Sequence, residues 1–184
     1  MIWQFLRLFL QDTFNLLWLG VGLFIAGVLE AFLWKTSLFK LLNKPIQSEL
    51  FGENKRWRGL FSLPLTTVIA VFFLQLIEAN LVPFPPNFVL FSKFNYLEYG
   101  LLVGFVFNLS ELPNSFVKRR LKIPPGDESS KLFYFVDHMD STYGVLLLWY
   151  LYFHFPGHLI ITGLVIGPLL FMGATWLRKK LGLK

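Results

Sequence analysis

The chain has 184 residues, of which 55% are hydrophobic and 18% aromatic, and its mean hydropathy is +0.57. A soluble core of this size cannot enclose so much apolar surface, so the composition predicts an integral membrane protein and excludes a water-soluble domain. The formal net charge of +6 does not indicate nucleic-acid binding, because the cations lie between apolar runs, and the absence of cysteine excludes disulfides and thiolate metal sites.

Five apolar runs approach the roughly 20 residues that a transmembrane helix needs. In chain order they extend from Thr13 to Trp34, Gly59 to Ala79, Tyr96 to Phe116, Asp137 to Phe155 and Leu159 to Trp176. Between the second and third runs, the proline-rich stretch 81–86 is too apolar for a free loop, and we expect it to lie along the membrane interface without forming a helix. The sequence predicts an all-α integral membrane protein, a single domain over residues 1–184, with about five transmembrane helices and two basic cytoplasmic loops.

Lysine and arginine are distributed unevenly among the connecting segments. Six fall in residues 35–58, five in 118–131 and four in 178–184, which is fifteen of the seventeen. Short loops rich in these residues stay on the cytoplasmic side of a membrane. We therefore predict a multi-pass protein of the cell membrane with its N-terminus outside and its C-terminus and both basic loops in the cytoplasm.

The first basic loop runs directly into the second apolar run and carries Lys55, Arg56 and Arg58 within four residues. A basic turn at a helix N-terminus can hold an anion, because free N–H groups and the helix dipole add to the charges of Lys55 and Arg58. The same residues also fit an ordinary cationic flank with an interfacial Trp57. Spacing alone leaves both interpretations open.

The third apolar run contains Glu111, and an ionisable side chain at membrane depth is by default a candidate functional residue. The cations Lys118, Arg119 and Arg120 follow at the end of the same helix, where they would suit a phosphorylated substrate. Alternatively, Glu111 snorkels to the interface beside Lys118, which lies two helical turns further on.

Two aspartates, Asp137 and Asp140, stand three residues apart where the second basic loop gives way to the fourth apolar run. On a helix their Cβ atoms would lie roughly 5 to 6 Å apart on one face, close enough to hold one Mg²⁺ ion or to bridge two. His138 would point away from both, and we interpret it as a bystander. The alternative is helix capping, in which either aspartate accepts hydrogen bonds from backbone N–H groups.

Two groups of residues together resemble a known family. The first is Lys44-Pro45-Ile46 followed by Gly52-x-x-Lys55-x-Trp57-Arg58-Gly59, and the second is Ser115-Phe116-x-Lys118-Arg119-Arg120 with Pro125-Gly126 and then Asp137-x-x-Asp140. In order and spacing they are similar to the CDP-archaeol synthase family of small membrane cytidylyltransferases. The second group also resembles the larger phosphatidate cytidylyltransferases. The resemblance covers residues 43–62 and 108–141.

This resemblance implies that a cytidylyl group is transferred from CTP to a membrane lipid phosphate, which yields a CDP-lipid and pyrophosphate and requires Mg²⁺. The implied partners are CTP, a lipid phosphate acceptor and the surrounding membrane lipids. The implied site residues are the metal ligands Glu111, Asp137 and Asp140, the catalytic residues Lys118, Arg119, Asp137 and Asp140, and the phosphate-binding residues Lys55, Arg58, Ser115, Lys118, Arg119 and Arg120.

At three places the chain departs from the family pattern. Ser110-Glu111 stands where Gly-Asp is expected, Gln47 stands in place of an aspartate, and Arg56 in place of a threonine. Glu111 keeps the carboxylate of the expected aspartate but lengthens its side chain by one methylene group.

The main competing hypothesis is a non-enzymatic membrane carrier or scaffold, in which Glu111 and Asp137 belong to a permeation or packing network. The CDP-alcohol phosphotransferases also use Asp-x-x-Asp with Mg²⁺, but their longer Asp-Gly-x-x-Ala-Arg lead-in is absent here. An oligomer is possible, and Gly20, Gly22 and Gly27 offer a surface for helix packing.

Overall fold

The computed structural model describes residues 2–80, 84–85, 87–125 and 131–182, with only the backbone of Lys131. Within these ranges the regular structure is helical. The long helices are α1 (Ile2–Leu33), α4 (Trp57–Asn80), α5 (Tyr96–Arg120), α6 (Lys131–Leu151) and α7 (Gly157–Lys180), and between them lie the short helices α2 (Ser37–Leu41) and α3 (Ser48–Phe51) and a 3-10 turn (Phe91–Lys93).

Four of the long helices, α1, α4, α5 and α7, are long and apolar enough to cross a membrane. The predicted class, an all-α membrane protein, is confirmed. Helix α6 corresponds to the fourth predicted span, but its first half carries Asp137, His138 and Asp140, and it is not among the apolar spans found in the described residues. Five long helices therefore form the bundle, as many as the predicted spans, and four of them are long and apolar enough to cross a membrane.

The observed ends differ from the predicted ones mainly at the first span, because α1 begins at Ile2 rather than near Thr13. Arg7 lowers the hydropathy of this segment without interrupting its helix, since arginine is a good helix former. Of the stretch predicted to lie along the interface, residues 81–83 and 86 fall outside the described ranges. Its Phe84 ring packs against Trp18 with a centroid distance of 5.3 Å.

The closest helix crossing joins α4 to α5. A Cβ atom added at Gly100 would lie 2.5 Å from the Cα of Val68, and one added at Gly104 would lie 2.5 Å from the Cα of Pro64. Only glycine allows the two backbones to approach so closely, as in other small-residue helix interfaces in membranes. This crossing places the C-terminal end of α5 beside the N-terminal end of α4.

We expect Gly104→Ala to lower the melting temperature in detergent by about 5 °C, because the added methyl group forces the helices apart at a cost of about 2 kcal/mol. Gly173→Ala is the matched control, since no atom lies within 4 Å of a Cβ added at that glycine. Thermal unfolding followed by circular dichroism measures both variants. Equal melting temperatures for the two would contradict the packing described for α4 and α5.

The two ends of the bundle carry different polar groups. At one end, buried Asp12 accepts hydrogen bonds from His158 at 2.9 Å and from Thr162 at 3.2 Å, which joins α1 to α7. At the same end, buried Glu78 accepts from the backbone N–H groups of Phe91 and Ser92. The opposite end gathers the basic segments that follow α1, α5 and α7, so the uneven distribution of lysine and arginine corresponds to one side of the bundle.

The glycines predicted as a surface for oligomer packing contact residues of their own chain instead. A Cβ at Gly22 would lie 2.9 Å from the Phe91 ring, and one at Gly27 would lie 3.1 Å from an Arg178 nitrogen. Because both positions are occupied by intramolecular neighbours, they give no support to an oligomer interface. The possible oligomer remains a prediction.

Candidate active site

A cavity of about 200 Å³ lies where α5 and α6 meet the segment that connects α3 to α4. Its lining contains predicted site residues from the first basic loop, from α5 and from α6, namely Lys55, Glu111, Ser115, Lys118, Arg119, Asp137 and Asp140. Seven of the nine residues predicted from the sequence thus share one cavity. The remaining two, Arg58 and Arg120, lie elsewhere.

The three acidic side chains in this cavity are joined through two neutral donors. The Asn114 side-chain amide donates to Asp137 Oδ1 at 2.6 Å and to Asp140 Oδ2 at 2.9 Å. The Ser141 hydroxyl donates to Glu111 Oε1 at 2.8 Å and lies 3.2 Å from Asp140 Oδ1. Asp140 therefore occupies the centre of the group, and each of the other two acids shares a donor with it.

Two lysines neutralise the acids at either side of Asp140. Lys118, which is buried, donates to Asp137 Oδ2 at 2.8 Å and Oδ1 at 3.1 Å, and Lys55 forms an ion pair with Glu111. The proposal that Glu111 snorkels beside Lys118 is therefore wrong, because Lys118 turns towards α6. Acidic and basic side chains therefore alternate around one small volume.

Helix capping does not account for the two aspartates. The unpaired N–H groups of a helix are those of its first turn. Helix α6 begins at Lys131, so Asp137 and Asp140 lie too far along it to cap these groups. The prediction that both aspartates share one helix face is supported by their common donor, Asn114. The sequence did not single out Asn114 as a site residue, although its position three residues after Glu111 places both on neighbouring parts of one helix face.

The side chain of Arg119 closes the cavity on the side of α3. Gly52 adopts a φ of +83°, and a Cβ at this position would lie 3.2 Å from Pro125 and 3.4 Å from an Arg119 terminal nitrogen. The Nε atom of Arg119 is buried and has no hydrogen-bond partner among the described residues. A guanidinium whose buried Nε has an unused donor is suited to an anionic ligand, since leaving such a donor unpaired is costly.

Lys55 reaches the cavity because the chain forms a short hairpin before α4. The N–H of Ile46 donates to the carbonyl of Lys55 at 2.9 Å, and the N–H groups of Trp57 and Arg58 donate to the carbonyls of Lys44 and Leu42, each at 3.0 Å. These amides are already used within the hairpin. The hypothesis that free N–H groups at the start of α4 bind an anion is therefore wrong, and the side chains of this loop carry its positive charge alone.

The side chains of Arg58, Arg120 and His138 lie outside the smaller cavity. The guanidinium carbon of Arg58 lies 4.0 Å from the centroid of the Trp34 ring, and Arg120 is exposed and stacks on Phe116. His138 is buried with its Nδ1 atom 2.7 Å from the carbonyl oxygen of Tyr134, so it points away from the aspartates as predicted.

A second, larger cavity of about 690 Å³ adjoins the first between α1, α4, α5, α6 and α7. Most of its wall consists of apolar side chains from these helices, and Arg58 lies at its polar end together with Glu30 and Arg178. The two cavities share Asn54, Lys55 and Glu111. A charged chamber therefore opens directly beside a groove lined largely by apolar membrane helices.

Comparison with known proteins identifies the family of this chain. Residues 46–184 match the family described as CarS-like, CDP-archaeol synthase. The chain belongs to the CDP-archaeol synthase family. It is similar to the CDP-archaeol synthase of Pyrococcus furiosus, with 34% identity over 139 residues that cover 72% of this chain and 71% of that protein. No solved structure shows a significant match to the chain.

Membership in the CDP-archaeol synthase family confirms the predicted resemblance and the prediction of an enzyme of the cytidylyltransferase type. The match begins at Ile46 and so includes α3 to α7, whereas α1, α2 and the hairpin residues Leu42 and Lys44 precede it. An enzyme is thereby favoured over the carrier or scaffold. The roles of individual side chains in the cavity remain predictions.

Proposed function

We propose that this protein transfers the cytidylyl group of CTP to a lipid phosphate, giving a CDP-lipid and pyrophosphate. The observation that carries the proposal is the junction of the two cavities at Lys55 and Glu111. The smaller cavity offers lysine, arginine and carboxylate groups of the kind that bind a nucleotide triphosphate, and the larger one offers an apolar wall for lipid chains. The name of the Pyrococcus furiosus relative supports the same reaction.

The reaction requires no protein base. An oxygen of the lipid phosphate, already negatively charged at neutral pH, attacks the α-phosphorus of CTP and forms a new P–O bond. The bond from that phosphorus to the oxygen bridging to the β-phosphate breaks, and its electron pair leaves with pyrophosphate. Catalysis then consists of positioning and charge stabilisation. In the proposal Lys118 and Arg119 bind the nucleotide phosphates and stabilise the departing pyrophosphate.

The side chains of the smaller cavity fit Mg²⁺ by their chemistry, because carboxylate oxygens are the protein ligands that this ion prefers. We propose that Asp137 and Asp140, with Glu111, would hold it. Among the described residues no group of three acidic side chains is arranged to hold a metal ion, and Asn114, Lys118 and Lys55 contact the oxygens of these acids. When bound, Mg²⁺ would neutralise phosphate charge in the way common to phosphoryl-transfer enzymes.

We further propose that the basic end of the bundle faces the cytoplasm, which places the N-terminus outside. Short segments rich in lysine and arginine remain on the cytoplasmic side of membranes, and the structure gathers these segments at the end that contains both cavities' polar residues. A charged nucleotide would then reach the smaller cavity from the compartment in which it is made.

The proposal is tested by incubating the purified protein with labelled CTP, Mg²⁺ and a panel of lipid phosphates that includes ether-linked isoprenoid and ester-linked acyl chains. We expect a labelled CDP-lipid and an equal amount of pyrophosphate, with preference for an archaeol-type acceptor as the relative's name suggests. The matched controls are the same lipids without phosphate, UTP or ATP in place of CTP, and a sample containing a metal chelator. Absence of product with every phosphate, or equal product from the lipid alcohols, would contradict the proposal.

A further inference from the structure

The polar end of the larger cavity contains a cluster that the sequence analysis did not assign. Glu30 of α1 is buried and accepts a hydrogen bond from the Ser62 hydroxyl at 2.6 Å, and Trp34 donates to the same hydroxyl at 2.9 Å. Arg58 stacks on the Trp34 ring, and its guanidinium and that of Arg178 both interact electrostatically with Glu30. Two cationic side chains and one buried carboxylate therefore line this end of the cavity, so the cations outnumber the acid.

Arg178 packs against α1 at Gly27, where the helix has no side chain in the way. Its terminal nitrogen would lie 3.1 Å from a Cβ at Gly27, so the guanidinium rests directly against the helix at this glycine. Its Nε atom is buried and has no hydrogen-bond partner among residues 2–80, 84–85, 87–125 and 131–182. Arg178 therefore has an unused donor at a buried atom beside the cavity.

The two cavities therefore each contain one arginine with a buried, unpaired Nε: Arg119 in the smaller and Arg178 in the larger. Two lysines that line the smaller cavity are already paired, Lys118 with Asp137 and Lys55 with Glu111. A reaction that joins two phosphate-bearing substrates needs two anion sites that are close but separate. The arrangement of the arginines matches this requirement.

We propose that Arg178, together with Arg58, binds the phosphate of the lipid acceptor, while Arg119 and Lys118 bind the nucleotide phosphates. This inference rests on the proposed function and assigns its acceptor site. Arginine binds a phosphate monoester through two parallel hydrogen bonds, and the positive charge left beside Glu30 matches a dianionic headgroup. The lipid chains would follow the apolar wall of the larger cavity, and the headgroup would face the shared residues Lys55 and Glu111.

Steady-state kinetics in mixed micelles test this assignment with the full-length protein. For Arg178→Gln we expect the apparent KM for the lipid phosphate to rise about tenfold or more, because a charge-assisted hydrogen bond is lost, while the KM for CTP changes less than about twofold. Lys180→Gln is the matched control, since Lys180 stacks on Trp176 and does not line either cavity. Arg178→Lys should recover part of the loss, because it restores the charge without the planar fork.

A binding measurement separates this inference from the proposed function. Native mass spectrometry compares retention of a phosphate-bearing lipid with retention of the same lipid alcohol, in the absence of CTP. We expect wild type to retain the phosphate-bearing lipid selectively and Arg178→Gln to lose that selectivity. Gly27→Val supplies a second variant that displaces the guanidinium without removing its charge, and we expect the same loss.

Several results would overturn the assignment. One is that Arg178→Gln and Gly27→Val leave both the KM for the lipid phosphate and the retention of that lipid unchanged. Another is that the KM for CTP rises as much as the KM for the lipid phosphate. A third is that soluble glycerol phosphate competes as effectively as the lipid phosphate. If wild type makes no CDP-lipid but retains the phosphate-bearing lipid through Arg178, the proposed reaction fails and the lipid-phosphate site stands.

Discussion

Asp140→Asn should reduce cytidylyl transfer at least about a hundredfold while the protein remains folded, a loss typical of removing a preorganised electrostatic group from an active site. Asp140 occupies the centre of the acidic group and shares donors with both Asp137 and Glu111. Asparagine has nearly the same shape, and its single side-chain oxygen can accept from either Asn114 or Ser141, while its NH2 group faces the other donor. The substitution therefore removes negative charge with little change in packing.

Initial rates with labelled CTP at saturating lipid phosphate measure this loss, and thermal unfolding in the same detergent verifies that the variant is folded. Glu49→Gln is the matched carboxylate-to-amide control, because Glu49 is exposed on α3 and lines neither cavity. We expect the control to retain wild-type rates. A rate for Asp140→Asn within about threefold of wild type, in a folded sample, would remove the acidic group from the mechanism.

The class of the protein could be predicted from the sequence because hydropathy accumulates over whole segments and does not depend on how the helices pack. The same property explains the difference at α6. The second half of α6 is as apolar as a transmembrane helix, but Asp137 and Asp140 lie about two turns after its start and lower the hydropathy of the whole helix. The early start of α1 could not be seen in hydropathy, since helix propensity continues through Arg7 where the apolar run is interrupted.

Local spacing correctly placed Asp137 and Asp140 together, because residues three apart on a helix are always neighbours. The partners of Glu111 could not be obtained in this way. Lys55 lies 56 residues away along the chain and Ser141 lies 30 residues away, so both contacts depend on how α5 packs against α4 and α6. The spacing of Gly100 and Gly104 is a local signal for a close helix crossing, but it does not say which helix packs there, and the structure shows that it is α4.

The buried acids that the sequence analysis did not assign illustrate the same limit. Glu30 lies within an apolar run, and its importance follows only from the approach of Ser62 and Arg178, which come from α4 and α7. The signal present in the sequence was the acid itself, since a carboxylate within a predicted span requires a partner. Knowing that a partner exists does not reveal which of seventeen cations supplies it.

Lys118→Gln is the second substitution for which we expect a large effect, a fall in cytidylyl transfer of about a hundredfold with a rise in the KM for CTP. Lys118 is buried and bonded to both oxygens of Asp137, so its removal deletes the cation that faces the acidic group from α5. We also expect a destabilisation of about 2 kcal/mol, less than for a fully buried pair because the Asp137 side chain is 35% exposed.

The double variant Lys118→Gln with Asp137→Asn separates these two consequences of the charge pair. Removing both charges relieves the unpaired carboxylate, so the melting temperature should return most of the way to that of wild type. Activity should remain at the level of the single variants, because neither phosphate binding nor the acidic group is restored. Lys40→Gln is the matched control, since Lys40 is exposed on α2 at the same end of the bundle and lines neither cavity. If the double variant regained activity along with stability, Lys118 would act only by neutralising Asp137 and would have no contact with the nucleotide.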